Sequence, residues 1–144
     1  MLHVRRIIAA LLLSGSLLGA IATHAFAASH ARVSTFEGKA DCGSPNTNFP
    51  IIGFVKFHRF GNTVDINYHL KNAAPNTTYT VELWQPTPCS LLATVGSVTT
   101  NQKGEGDRKF ETTVSPTSTQ FFATSTAPSP LPFFNDTTTV TLLP

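Results

Sequence analysis

His58, Asp65, Asn67 and His69 are the side chains whose types and spacing come nearest to a reactive constellation. A histidine oriented by an aspartate is half of a Ser-His-Asp arrangement, in which the imidazole takes a proton from a nucleophile. The other half is the nucleophile. Serines are present, but no Gly-x-Ser-x-Gly elbow occurs to hold one on a strained turn. The competing interpretation is a solvent-facing charge pair of little energetic consequence, and the sequence favours it. A small secreted hydrolase using His58 and Asp65 is the alternative, and the chain is expected not to be an enzyme.

Metal chemistry fares no better. Zinc needs its ligand atoms within about 2 Å of one point. On paired strands at about 3.4 Å per residue, His58 and His69 are rooted about 13 Å apart. His30 follows closely on the expected leader, and nothing in the sequence orders it. No metal ligand and no cofactor is expected. Asn101, Glu105 and Asp107 surround two glycines but lack the oxygen-ligand spacing of a calcium loop, so this stretch is expected to be a solubilising turn. No Gly-x-x-x-x-Gly-Lys-Ser/Thr phosphate loop occurs. Asp65, Glu82 and Glu111 each sit in alternating segments, and nothing converges two of them as glycoside hydrolysis requires.

Aromatic side chains suit recognition better. Trp84, the single Trp, alternates against Tyr79, Val81 and Leu83 and precedes the Pro-flanked stretch Gln85 to Pro88. Phe54 and Phe60 fall on the polar face of their strand, as edge packing or a small exposed patch. Phe121-Phe122 and Phe133-Phe134 are further pairs. Trp84, Phe54 and Phe60 are the candidate binding residues, because rigid aromatics at a rim anchor protein or sugar partners.

These residues belong to a chain that starts with an export pattern. Arg5-Arg6 precedes an apolar run from Ile7 to Ala22, and Ala25-Phe26-Ala27 supplies small residues for cleavage. Residues 1–27 are therefore expected to be a secretory signal peptide, and residues 28–144 a single β-sandwich domain. The apolar run is short for a bilayer core of about 30 Å, so no stable membrane insertion is expected after cleavage. The location expected is secreted or extracellular, a periplasm being the bacterial equivalent. The chain has ten Lys and Arg against eight Asp and Glu. Removing Arg5 and Arg6 leaves eight of each, and no basic run survives. Broad capture of nucleic acid is thereby disfavoured. Cys42 and Cys89 are the two cysteines. In an oxidising compartment they have one intramolecular pairing, worth about 4 kcal/mol on the chain-entropy account.

The mature region carries 20 Thr and ten of the eleven Phe, and its Pro and Gly fall between apolar runs. Thr and Phe favour strands, and no sustained helical period appears. A first strand is expected over 33–39, and the loop 41–50 is pinned by Cys42. Ile51–Phe60 and Thr63–Lys71 flank Gly61-Asn62, a two-residue hairpin loop. That loop sets a register in which Phe60 faces Thr63, His58 faces Asp65 and Phe54 faces His69. Val55, Phe57, Val64, Ile66, Tyr68 and Leu70 then line a core face. Lys56, His58, Asp65, Asn67 and His69 line the solvent face. Arg59 ends the core face, where its head is expected to reach water. Further strands are expected over 78–84, 91–98, 108–114, 120–124 and 137–143, with 108–114 as the hairpin partner of 91–98.

The stretch Leu70 to Val81 resembles the turn leading into the tyrosine-bearing strand of fibronectin type III domains. Pro75-Asn76-Thr77-Thr78-Tyr79 stands where that fold has Pro-Gly-Thr-x-Tyr, with Asn76 replacing the Gly. The resemblance covers about twelve residues and implies a sandwich. The fold expected is all-β: a two-sheet antiparallel β-sandwich of seven or eight strands, immunoglobulin-like or fibronectin-like in general architecture. Asn76-Thr77-Thr78 and Asn135-Asp136-Thr137 fit the glycosylation acceptor pattern, and both are placed near turns. The function expected is a noncatalytic secreted or cell-surface module binding a protein or glycan partner. A purely structural surface protein is the other alternative.

Overall fold

The computed structural model describes residues 29–38, 42–128 and 134–144. The expected leader and Phe133 lie outside the described residues. Nine strands follow in order: β1 (Ser29–Glu37), β2 (Ile51–Phe60), β3 (Thr63–Leu70), β4 (Thr78–Pro86), β5 (Cys89–Thr99), β6 (Gly106–Thr113), β7 (Gln120–Thr126), β8 (Phe134–Thr137) and β9 (Val140–Thr141). The β2–β3 hairpin has the register that its two-residue loop dictates, from Phe60↔Thr63 to Gly53↔Leu70. Every second side chain of that hairpin, from Val55 to Leu70, is buried on the face assigned to the core.

The expected sandwich is not formed. All strands belong to one antiparallel sheet in the order β5-β4-β7-β8-β1-β2-β3-β6, with β9 paired to β7. The sheet curls until its outermost strands, β5 and β6, lie side by side, which makes a near-barrel. Period-two alternation says only that each strand has one buried face. Two facing sheets and one curled sheet satisfy it equally.

The expected hairpin of 91–98 with 108–114 is a second correction. β5 pairs with β4, and β6 pairs with β3. A tight turn still joins β5 to β6, with Asn101 Oδ1 accepting from the amides of Lys103 (2.8 Å) and Glu105 (3.1 Å). Beyond it the two strands meet through packing. Gly96 has φ +144°, and a Cβ there would lie 2.8 Å from Phe110 Cε1. The absence of a side chain is what lets the Phe110 ring close the seam.

Inside lie Val55, Phe57, Ile66, Leu70, Val81, Leu83, Phe121 and Leu142, each at most 2% exposed. A small polar network is buried with them. Ser125 Oγ accepts from Tyr68 Oη (3.1 Å) and from Asn135 Nδ2 (3.0 Å). Burial raises the pKa of Tyr68 well above the ordinary phenol value. Asn135 is 1% exposed and committed to Ser125, so this acceptor pattern is closed to a glycan in the folded chain, contrary to its expected place near a turn. Asn76 is exposed.

Arg59 departs most from expectation: it is 0% exposed. Its Nε donates to Gly61 O (2.7 Å) and its Nη2 to Ser115 O (3.2 Å). Its Nη1 donates to Ser118 O and to Leu142 O, the latter at 3.1 Å. Segments 115–119 and 141–143 fold over the hairpin end, and the guanidinium supplies donors to their carbonyls in place of water. Burial lowers its pKa from the ordinary arginine value, yet a guanidinium stays protonated in proteins.

Cys42 and Cys89 are bonded, with Cα atoms 5.6 Å apart. The bond pins the 42–50 loop against the β4–β5 turn. Gly43, at φ +79°, packs so closely that a Cβ would lie 2.1 Å from Thr139 Oγ1 and 2.9 Å from Phe122 Cδ1. Phe122 is buried beneath it.

The fibronectin-like turn keeps its local geometry on a different fold. Asn76 takes φ +50°, the left-handed conformation that the replaced Gly would adopt. Tyr79 Oη accepts a hydrogen bond from the Ala74 amide (3.0 Å). This is the corner that ties such a tyrosine back to the preceding turn.

Candidate functional site

β1, β2, β3 and β6 place their polar side chains on one outer face, in cross-strand rows. The rows are Ser34–Phe54–His69–Asp107, Arg32–Lys56–Asn67–Lys109 and His30–His58–Asp65–Glu111. Neighbours in a row share a face because cross-strand partners point the same way. The sequence identifies the β2 and β3 members. It misses Arg32 and leaves His30 without an ordering element, because nothing in the sequence shows that β1 pairs with β2.

His58 and Asp65 face one another as expected, but their geometry is loose. His58 Nδ1 lies 3.9 Å from Asp65 Oδ2, beyond hydrogen-bond reach. The same carboxylate oxygen is 2.8 Å from Lys109 Nζ. That hydrogen bond, with the attached charge, raises the pKa of Lys109. The ring of His30 stacks on His58, with centroids 4.3 Å apart and planes within 4°. His58 Nε2 is buried, with no hydrogen-bond partner among the described residues. Among those residues no group of three or more His, Cys, Asp or Glu is placed to hold a metal ion.

Phe54 organises the other end of the face. The guanidinium carbon of Arg32 lies 4.1 Å from its ring centre, and the His69 ring stacks at 4.5 Å. β1 and β3 flank β2, so the two groups approach the ring from opposite sides. Lys56 Nζ is 5.7 Å from the same centre. Phe54 is half-buried. Its aromatic faces are occupied, and what the ring provides is a fixed seat for Arg32. His69 has its pKa pushed below the ordinary histidine value, first by burial. Asp107 opposes that shift, while Lys56, Arg32 and Lys71 add to it. A depression of about 330 Å³ lies beside this cluster, lined by Arg32, Ser34, Ile51, Phe54, Lys71 and Asn72 among others.

Phe60 is 62% exposed at the hairpin end of the same face, beside a second depression lined by His58, Thr63, Asp65 and Glu111. Trp84 lies elsewhere, on the outer side of β4, and is half-buried. Its ring stacks on Phe122 at 6.2 Å, and its Nε1 donates to Glu82 Oε2 and Thr124 Oγ1, both at 3.2 Å. The structure thus brings Phe54 and Phe60 onto one face and sets Trp84 apart. Comparison with protein-family models, with curated proteins and with solved structures yields no match.

Proposed function

We propose that this chain is a secreted, noncatalytic binding module, and that its contact surface is the outer face of β1, β2, β3 and β6. The domain is an all-β, disulfide-bonded near-barrel, a scaffold that presents side chains on rigid strands. The observation that carries the reading is the cluster on this face: Arg32 and His69 seated on Phe54, with exposed Phe60 further along β2. Protein and glycan partners, met outside the cell, are both compatible with such a surface. The reading is also supported at His58. Its carboxylate neighbour is engaged by Lys109, and no hydroxyl or thiol sits at its Nε2 among the described residues. Among the described residues no helix is long and apolar enough to cross a membrane.

The test compares three folded proteins on a glycan array and in capture from the surrounding extracellular material. They are wild type, the face variant Lys56→Glu with Phe60→Ala, and Trp84→Ala. A partner lost by the face variant and kept by Trp84→Ala supports the reading. The reverse pattern moves the contact to Trp84. A hydrolytic activity that disappears in folded His58→Ala overturns the noncatalytic reading altogether.

A further inference from the structure

We infer that the depression beside Phe54 is a carboxylate-binding site, built from Arg32 and Lys71 with Ser34 and Asn72, and that its ligand is a uronic-acid polysaccharide. The inference rests on the outer face being the contact surface and names the ligand that the face takes.

Charge comes first. Among the described residues, Arg32, Lys56 and Lys71 have no carboxylate within 4 Å, since the salt bridges there involve His58, Asp65 and Lys109. Three cations therefore gather near His69 against one carboxylate, Asp107. The chain without its expected leader is formally neutral, so this is a local excess that longer-range charge does not produce. The lowered pKa of His69 reports the same field, since Lys56, Arg32 and Lys71 all act on it in one direction.

Geometry comes second. A guanidinium seated over a ring is left without a hydrogen-bond acceptor by that ring, and its N–H fork matches a planar carboxylate in two parallel hydrogen bonds. Arg32 lies 4.1 Å from the Phe54 ring centre, and the described residues give its N–H groups no acceptor. Stacking fixes its position before any ligand arrives, which lowers the ordering cost of binding. Lys71 approaches the same depression from the end of β3.

The topology argues for sugar over peptide backbone. The depression lies over β2, between Arg32 on β1 and Lys71 past β3, and β2 is paired on both sides there, so its floor offers no strand edge for an extended peptide to join. On this face, among the described residues, the open edges are those of β6 and of β1 over Ser29–Ser34, which pairs with β2 alone. A ligand here is held through side chains. Ser34 and Asn72 offer a hydroxyl and an amide to sugar hydroxyls, and Ile51, 55% exposed, offers apolar surface to a ring. The depression is shallow and polar in its lining, which does not suit an acyl chain.

The experiment uses the disulfide-bonded protein and three probes at low ionic strength. These are polygalacturonate, its fully methyl-esterified form, and poly-glutamate at matched carboxylate concentration. Polygalacturonate is expected to bind, and the ester, which keeps the sugar and removes the charge, to bind at least about tenfold more weakly. Arg32→Ala and Lys71→Ala, each confirmed folded, should each weaken polygalacturonate binding about tenfold or more, the scale of a lost charge-assisted contact. Equal binding of acid and ester, equal binding of poly-glutamate, or full retention by both Arg32→Ala and Lys71→Ala would each overturn the inference. If a partner is captured by the outer face while polygalacturonate does not bind, this inference falls and the binding-module reading stands.

Discussion

Replacing Arg59 by Met keeps the aliphatic stem inside the barrel and removes the guanidinium. Four carbonyl oxygens then lose a donor: Gly61, Ser115, Ser118 and Leu142. They are not equivalent. The bond to Leu142 is buried, so its oxygen has no water to turn to, and leaving it unpaired costs about 1–3 kcal/mol. The other three are partly buried, and water replaces the lost donor at about 0.5–1 kcal/mol each. The Phe121 ring, 5.5 Å from the guanidinium carbon, loses that cation–π contact as well, while Met fills part of the same space. Relief from burying the charge works the other way and trims the total. The expected loss is about 3 kcal/mol, a fall of roughly 10–15 °C in Tm at this chain length. Urea denaturation of both proteins measures it. A local readout separates the cause from general damage. The Leu142 amide donates to Thr119 O at 2.8 Å, within the segments that Arg59 joins. In the Met variant its hydrogen-exchange protection should fall further than that of Ile66. A loss under about 1 kcal/mol, or unchanged relative protection at Leu142, would show that the carbonyls are satisfied without Arg59.

Two further expectations concern the disulfide and the histidine beside Phe54. Reducing the Cys42–Cys89 bond, which spans 47 residues, should lower stability by about 2–4 kcal/mol; an unchanged urea midpoint would contradict it. His69 has a folded-state pKa below its ordinary value of 6.5. Its contribution is therefore complete above about pH 6.5 and is lost as the pH falls towards the folded value, because the unfolded chain takes the proton first. Tm should drop more between about pH 7.5 and about pH 5 in wild type than in His69→Gln. Parallel profiles would remove His69 from the acid response.

Local structure was far more legible in the sequence than its assembly. Gly61-Asn62 bounded by alternating runs determines the β2–β3 register, because the loop length leaves one way to align the strands. Asn76 and Tyr79 likewise declare a turn whose hydrogen bond stays within a few residues. Long-range pairing has no such local mark. The neighbours of β1 are β2 and β8; Thr35 meets Thr137, 102 residues along the chain, and no short-range pattern selects that pairing. Arg32 is invisible as a candidate site residue for the same reason: its contact with Phe54 exists only once β1 has docked on β2. Arg59 misled for a related cause. Its place at a hairpin end implies solvent, but segments 115–119 and 141–143 return to cover that end. Carbonyl acceptors there are main-chain atoms, which every sequence has and none advertises.

The seam between β5 and β6 gives this barrel an anisotropic elasticity. At the other strand boundaries, widening the barrel means breaking backbone hydrogen bonds, over eight residue pairs at β2–β3 and three at β1–β8 and at β7–β8. At the seam, the Phe110 ring against Gly96 is the contact that must part. A split ring behaves this way: stiff in its wall, compliant across its gap. The tight turn at 101–105 clamps one end of the gap, so any opening hinges there and is widest near Cys89 and Thr113. The proposed contact face is held together by the β1–β2, β2–β3 and β3–β6 pairings, and so a deformation that springs the gap leaves the spacing of Arg32, Phe54 and His69 unstrained.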